Sequence, residues 1–327
     1  MKILLTGGAG YIGSHVLLSI IENKHDVTVI DDLSTGNKEL IPENIKLINI
    51  NINNSEKVTN ILKEENFDLL LHFAGFIKVE ESVENPYKYF KNNTDNAINL
   101  FETCHKNNLN NIIFSSTAAA YGNPSNNNSI IEDEILSPLN PYGESKVKTE
   151  EYLLKNKDKY NSIILRYFNV AGADPKLRSG LISDAPTHLI KILSEVAVGK
   201  RKKISIYGND YNTVDGTAVR DYIHVSDLAN IHLEVAKFLL ENKKSNIFNC
   251  GYGKGYSVLE VINVANKIYG NKIKFEYDKR RPGDAEKLIS NVDKLHQHIN
   301  WKPKFDNLDI IIQTAVEWEK KIYEKDL

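Results

Sequence analysis

Cysteine is almost missing from this chain: Cys104 and Cys250 are the only two among 327 residues. Neither has a partner at metal-ligand or redox-motif spacing, and two thiols make no disulfide framework, so a reducing compartment and no metal site are expected. Long apolar runs are missing as well. No stretch approaches the roughly 18 apolar residues that span a bilayer. The opening MKILLTGG runs into a strand-like segment with one basic residue, unlike a secretory leader. We therefore expect a cytoplasmic protein that meets no membrane. Charge of one sign is not in excess: 41 basic against 43 acidic residues leave a net charge of -2. That balance gives no broad field to attract nucleic acid.

Arginine is scarce. Six of the 41 basic residues are Arg, at positions 166, 178, 201, 220, 280 and 281. A chain that uses Lys wherever a solvated charge will serve tends to keep Arg for places that need a planar, five-donor fork. Arg220, Arg280 and Arg281 are the resulting candidates for phosphate recognition.

What the chain does have is a repeated alternation. Lys2 to Thr6 reads as a short apolar strand, Tyr11 to about Asn23 as a helix, and Val27 to Ile30 as a second strand. Ile45 to Ile50, Leu69 to Phe73, Ile112 to Ser115 and Ile163 to Tyr167 continue the theme, each after enough chain for a helical crossover. Such alternation predicts an α/β fold with a doubly wound, mostly parallel sheet covered on both faces. Beyond about residue 172 the spacing becomes irregular. We expect a cofactor domain over 1–172 and a smaller α/β substrate domain over 173–327. Their segments interleave, because about 219–242 looks like a return to the first domain. Asn126 to Asn128 read as a loop tip and Lys200 to Lys203 as a solvated turn.

Gly7, Gly10 and Gly13 form G-x-x-G-x-x-G at the end of the first strand. Glycine there permits a tight turn, lets backbone N–H groups approach a pyrophosphate, and aims a helix N-terminus at the anion. Alone, the spacing fits any tight strand-to-helix turn. Asp31, 18 residues after Gly13 at the end of the second strand, adds a carboxylate placed to accept both ribose hydroxyls of an adenosine. Asp32 doubles the negative charge, which disfavours a 2′-phosphate and favours NAD over NADP. Tyr142 and Lys146 stand at i and i+4 just after Pro141, on one face of a helix. Bringing a tyrosine from about 10 to near neutrality takes about 4 kcal/mol. An ammonium one turn away and a cationic nicotinamide above it both favour the phenolate.

This combination resembles the short-chain dehydrogenase/reductase superfamily in its extended, Rossmann-type form. The segments GGAGYIGSH (7–15), RYFNVAGA (166–173), IYGNDYNTVDGTAVRDYIHV (206–225) and RPGD (281–284) resemble the UDP-glucose 4-epimerase family over essentially the whole chain. The resemblance implies an NAD-dependent isomerase that interconverts UDP-galactose and UDP-glucose through transient oxidation at C4, and it implies a homodimer. Thr117 takes the place of the superfamily's catalytic Ser or Thr beside Tyr142 and Lys146. Ala118 and Ala119 follow where sugar-nucleotide dehydratases carry Asp-Glu, so dehydration is not expected.

Implied cofactor contacts are the three glycines with Tyr11 and Ile12, then Asp31, Asn51 and Ile52, and then Phe73, Ala74 and Gly75. Asn92, Ser115, Tyr142, Lys146, Tyr167 and Phe168 complete that set, Asn92 where the superfamily has a structural asparagine. Implied substrate contacts are Thr117, Tyr142, Asn169, His188 and Leu189, with Tyr207 bounding the uracil. Arg220 and Arg281 would clamp the diphosphate bidentately, Asp284 would accept the uridine ribose hydroxyls, and Leu288 would border the sugar. The chain departs from the family at Asn51, often Asp; Ile77, often Lys; His188, often Asn; and Leu288, a bulky Tyr in some members. A UDP-sugar epimerase for N-acetylhexosamines, uronic acids or pentoses, and a non-enzymatic NAD(H) sensor, are the alternatives.

Overall fold

The computed structural model describes residues 1–124, 129–281 and 284–326, so the Asn126–Asn128 loop tip and Pro282–Gly283 lie outside the described residues. The first half runs β1 (Lys2–Thr6), α1 (Tyr11–Glu22), β2 (Asp26–Ile30), β3 (Lys46–Ile48), α2 (Ser55–Glu64), β4 (Leu69–His72), α3 (Val79–Glu84), α4 (Pro86–Tyr89), a π-helical stretch Phe90–Asp95, α5 (Asn96–Lys106), β5 (Asn111–Thr117), α6 (Pro141–Lys155) and β6 (Asn161–Tyr167). There follow β7 (Asn169–Ala171), α7 (Leu189–Ala197), β8 (Ile204–Tyr207), β9 (Val219–Arg220), β10 (Tyr222–His224), α8 (Val225–Asn242), β11 (Asn246–Cys250), β12 (Tyr256–Ser257), α9 (Val258–Tyr269), β13 (Phe275–Asp278), β14 (Lys287–Leu288), α10 (Asp293–His298) and α11 (Leu308–Asp326).

Side chains that alternate along a strand feed two separate cores. Ile3 and Leu5 of β1, Leu69 and Leu71 of β4, and Ile163 and Leu165 of β6 pack on one face with Val16 and Ile20 of α1 and Leu228, Ile231 and Val235 of α8. Leu4, Leu70, Phe114 and Ile164 pack on the other with α2, α5 and α6. A strand buried on both faces reads as continuous apolar sequence. Each such Leu or Ile stabilises the fold by about 1.5–3 kcal/mol relative to leaving it exposed.

The seven strands are parallel in the order β11-β6-β5-β4-β1-β2-β3, a Rossmann-type doubly wound sheet. Strand order reverses between β1 and β4, and the crevice outside their carboxyl ends is where such sheets bind ligands. The segment returning to this sheet extends past the expected 219–242: α8 crosses over and β11, at Asn246–Cys250, becomes the seventh strand beside β6. Its sequence, NIFNC, is too polar to read as a strand.

The remaining elements cover the open end of the crevice. A β8/β13 pair and the three-stranded β12-β9-β14 sheet are packed with α7, α9 and α11 around Leu193, Ile206, Val261 and Ile312. The Ser257–Glu260 capping box starts α9. Among the described residues no helix is long and apolar enough to cross a membrane.

Candidate active site

The turn after β1 cannot carry side chains. Gly7 has φ +74°, and a Cβ there would lie 2.5 Å from the Ala74 nitrogen; on Gly13 it would lie 2.1 Å from the Gly7 oxygen. The cradle so formed opens on a cleft of about 530 Å³ lined by Gly7, Gly10, Asp31, Asp32, Asn51, Ile52, Phe73, Ala74, Gly75 and Asn92. Asp31 closes its far side, accepting from Ala9 N–H and Leu33 N–H at 2.9 Å each. Burial raises the Asp31 carboxyl above its usual range, against those two bonds. Partial burial works the same way on Asp32, but bonds from Ser34 and Asn51 outweigh it and hold Asp32 below the usual range. Asn51 donates to Asp32 at 2.7 Å, and its carbonyl accepts from Asn53 N–H at 2.9 Å. Tyr11 ties the start of α1 across the sheet, donating to the Gly172 carbonyl at 2.6 Å, while Ile12 packs on the α1/α8 core.

The second constellation sits where β5 ends and α6 begins. Asn140 caps α6, accepting from Gly143 N–H at 2.9 Å, and Pro141 opens the first turn. Helix and strand end meet closely: a Cβ on Gly143 would lie 2.8 Å from the Ala119 oxygen. This contact brings Tyr142 to Thr117. The Thr117 side chain accepts from Ala119 N–H at 3.1 Å and also bonds the Tyr142 phenol, partly opposing the burial that pushes that phenol up. Lys146 is buried, donates to the Ser115 carbonyl at 2.9 Å, and lies over the Phe114 ring at 4.9 Å. Burial lowers its ammonium to about 8, against the attraction of Glu150. Tyr167 bonds the Ser115 side chain, while Phe168 packs with Ala118 and Tyr121.

Asn92 lines the cleft, while the structural contacts fall to its neighbour. Asn93, inside the π-helical stretch, accepts from Phe76 N–H at 2.8 Å, donates to the Phe76 carbonyl at 2.9 Å and to Ser145 at 3.2 Å. It thereby fastens the loop after β4 to α6. π-helical turns insert a residue into a helix and recur at functional sites, but the sequence FKNNTD carries no signal that distinguishes one from an α-turn.

A second cleft of about 420 Å³ contains Asn169, His188 and Tyr11. His188 stands at the start of α7 ahead of Leu189 without a side-chain capping bond, and burial lowers its imidazole below the ordinary value, whereas Asn169 starts β7 beside Tyr222. Arg220 turns its fork onto protein, donating to Val219 O at 2.8 Å, Ala285 O at 2.7 Å and Asp284 Oδ1 at 2.5 Å. Asp284 is thus already paired with one of the two arginines expected around it. Arg281 stacks on Tyr207, guanidinium to ring centroid 3.9 Å, and its Nε lies 3.9 Å from Glu80 Oε1. Arg280 is exposed, paired with Asp210 at 2.6 Å and stacked on Tyr211. Leu288 sits beside Arg220 on β14 and packs against the Ala118, Tyr121, Ile130 and Phe168 cluster. Ile77 is 54% exposed.

The sequence pattern of the NAD dependent epimerase/dehydratase family matches residues 3–251. The chain belongs to that family. It is 42% identical to the UDP-glucose 4-epimerase of Azospirillum brasilense over 98% of this chain and 92% of the relative. The fold superposes on the UDP-Glc/GlcNAc 4-epimerase of Campylobacter jejuni with a TM-score of 0.85 and 44% identity, covering 98% and 99% of the two chains. It also superposes on the UDP-glucose-4-epimerase of Stenotrophomonas maltophila, solved with NAD and formylated UDP-arabinopyranose, with a TM-score of 0.96 and 29% identity over 99% of both.

NAD is the family's cofactor, and the residues present fit it. The side-chain-free cradle at Gly7 and Gly13 leaves N–H groups for a pyrophosphate. Asp31 keeps acceptor capacity for two ribose hydroxyls, since a carboxylate has about four lone-pair sites and backbone donors use two.

Several residues beside this site escaped the sequence reading. Asn93 was hidden by its neighbour Asn92, Glu150 continues the Tyr142–Lys146 face by one more turn, and His232 lies far along the chain on α8. Only Glu150 had a readable signal, the unbroken i, i+4, i+8 spacing.

Proposed function

We propose that the protein interconverts UDP-galactose and UDP-glucose by inverting C4 of the hexose. The observation that carries this reading is the meeting of Thr117, Tyr142 and Lys146 at the carboxyl end of β5, beside the glycine cradle. Tyr142 takes the proton of the 4-hydroxyl, and Thr117, already bonded to the phenol, shares that oxygen. Lys146 supplies positive charge that favours the phenolate. When bound, NAD adds a cationic ring and takes hydride from C4, then returns it to the opposite face, so it is regenerated each turnover. The resulting 4-keto hexose turns in the cleft while Arg220, Arg281 and Asn169 anchor the nucleotide. Ala118 and Ala119 offer no acid or base, which argues against loss of water.

We include in the proposal a homodimer in the cytoplasm. The decisive experiment is turnover of UDP-galactose by the purified holoenzyme and by Tyr142→Phe. The variant should keep its fold and bound NAD and lose at least about 100-fold in kcat. Wild-type kcat in Tyr142→Phe would overturn the assignment.

A further inference from the structure

Behind the Tyr142–Lys146 pair lies a buried ion pair that no step above uses. Glu150 is one turn beyond Lys146 on α6 and 1% exposed; Arg166 of β6 is 2% exposed. Arg166 straddles the carboxylate, with Nε at 3.1 and 3.2 Å from the two oxygens and the second guanidinium nitrogen at 2.6 Å. Ser116, next to Thr117, donates to the same carboxylate. The remaining Arg166 nitrogen donates to the Tyr121 hydroxyl and to the Glu132 carbonyl, each at 2.9 Å. A buried pair like this seldom repays in stability what it costs to dehydrate two charges. Its location suggests another use, because ammonium, carboxylate and guanidinium follow one another from Lys146 into the core.

We propose that Glu150 is a positioning residue: its carboxylate, fixed by Ser116 and Arg166, keeps the Lys146 side chain charged beside Tyr142. The inference rests on the catalytic reading of Tyr142 and Lys146. The other groups around Lys146 cannot do this. On β4, His72 is driven by burial to about 3 and is neutral. On β5 the Ser115 carbonyl and the Phe114 ring face accept the ammonium but carry no charge. On β6, Tyr167 is neutral and Arg166 repels; in the π-helical stretch Asn93 is uncharged; on α6 itself Tyr142 is a phenol until it ionises. Among the described residues, Glu150 is the group whose charge opposes the burial that pulls Lys146 down to about 8. Without it the lysine would lose its proton at a lower pH.

The test is the alkaline limb of the kcat–pH profile with UDP-galactose, where Lys146 gives up its proton. In Glu150→Gln the limb should move to lower pH by roughly one unit, the scale on which a nearby opposite charge moves a titration. Glu150→Asp, which keeps the charge, should leave the limb in place even if kcat falls. Glu150→Gln strands a buried guanidinium and can fail to fold. The double variant Glu150→Gln/Arg166→Gln removes both charges and should still show a downward, smaller displacement. Bound NAD and far-UV circular dichroism report separately on folding. An unmoved limb in the neutral variants, or an equal displacement in Glu150→Asp, overturns the proposal. A Tyr142→Phe enzyme with full activity would instead overturn the catalytic reading, so the two failures are distinct.

Discussion

The Tyr167 hydroxyl lies 2.5 Å from His232 Nε2, deep between β6 and α8. The imidazole's other nitrogen faces the Leu228 carbonyl at 2.8 Å, so Nδ1 carries the proton and Nε2 accepts from the phenol. Burial lowers His232 to about 4 and raises Tyr167 well above its ordinary value, so both stay neutral. The far side of the phenol bonds Ser115, whose carbonyl holds Lys146, and Phe73 of the cofactor cleft packs on His232 at 4.9 Å.

Removing the imidazole should leave the buried hydroxyl with only its bond to Ser115. His232→Phe is expected to lose about 1–3 kcal/mol of stability. Adding Tyr167→Phe to it should cost less than Tyr167→Phe costs alone, since no donor is then left unpaired. Urea unfolding of the two single variants and the double variant decides the matter, and simple additivity would contradict the pairing.

Lys146→Met separates the activating charge from the base. The rate should fall most near neutral pH and recover in part at alkaline pH, where the phenolate forms unaided. Burial pushes the Tyr142 phenol up, so the recovery should come late. In the wild type the sign is opposite: the ammonium is present below about 8 and lost above it, which costs activity as pH rises. A pH-independent loss in the methionine variant would make Lys146 purely structural.

Four buried imidazoles set the response to acid. Burial lowers His15 and His232 to about 4 and His72 and His224 to about 3, from 6.5. Their folded values lie below the unfolded one, so their contribution is complete above about 6.5 and is lost as pH falls towards 4 and 3. Each can remove up to about 1.4 kcal/mol per pH unit across that window. Asp31, Asp221 and Asp227 are raised by burial and act oppositely, but they are three groups against four. Stability measured by denaturant should therefore drop steeply between pH 6.5 and 5. A flat profile there would mean that the histidines are hydrated or paired in solution.

The two-faced sheet was legible because strands buried on both sides leave unbroken apolar runs separated by helical spacing, as Ile3–Leu5 and Ile163–Leu165 do. The glycine cradle was legible because only glycine survives a 2.1 Å approach. Asn93 and His232 were not, since their importance depends on which way a π-helical turn and a crossover helix rotate them, and neither rotation leaves a mark in composition. Scarcity picked out Arg220, but only the structure shows its fork turned onto Asp284 and three main-chain carbonyls.

That difference splits the two diphosphate candidates. Arg281→Lys should raise KM for UDP-sugars with little loss of stability, because it removes a stacked fork on Tyr207 and one long ion pair. Arg220→Lys should raise KM and also destabilise the β9–β14 edge, since a point charge cannot satisfy Asp284 and the carbonyls together. NAD retention should be unchanged in both. Loss of cofactor from either variant would place that arginine on the other half of the cleft.

Leu288 stands on β14 next to Arg220 and packs towards Ala118 and Phe168, so it borders the region where Thr117 meets Tyr142. A leucine there is smaller by several heavy atoms than the tyrosine of some family members, which leaves more room beside the reacting hydroxyl. The pocket should admit the N-acetyl group. His188 could fill the vacated space, but it stands at the start of α7 in the second cleft with Asn169 and Tyr11, and Leu288 lines no part of that cleft. We therefore expect measurable epimerisation of UDP-N-acetylglucosamine beside UDP-glucose. Leu288→Tyr should remove the acetylated activity selectively, because the larger ring cannot enter the packed Ala118–Phe168 cluster without overfilling it and must turn towards the sugar. Comparing kcat/KM for both sugars in wild type and variant tests this: absent acetylated turnover in the wild type, or equal losses for both sugars in the variant, would remove Leu288 as the gate.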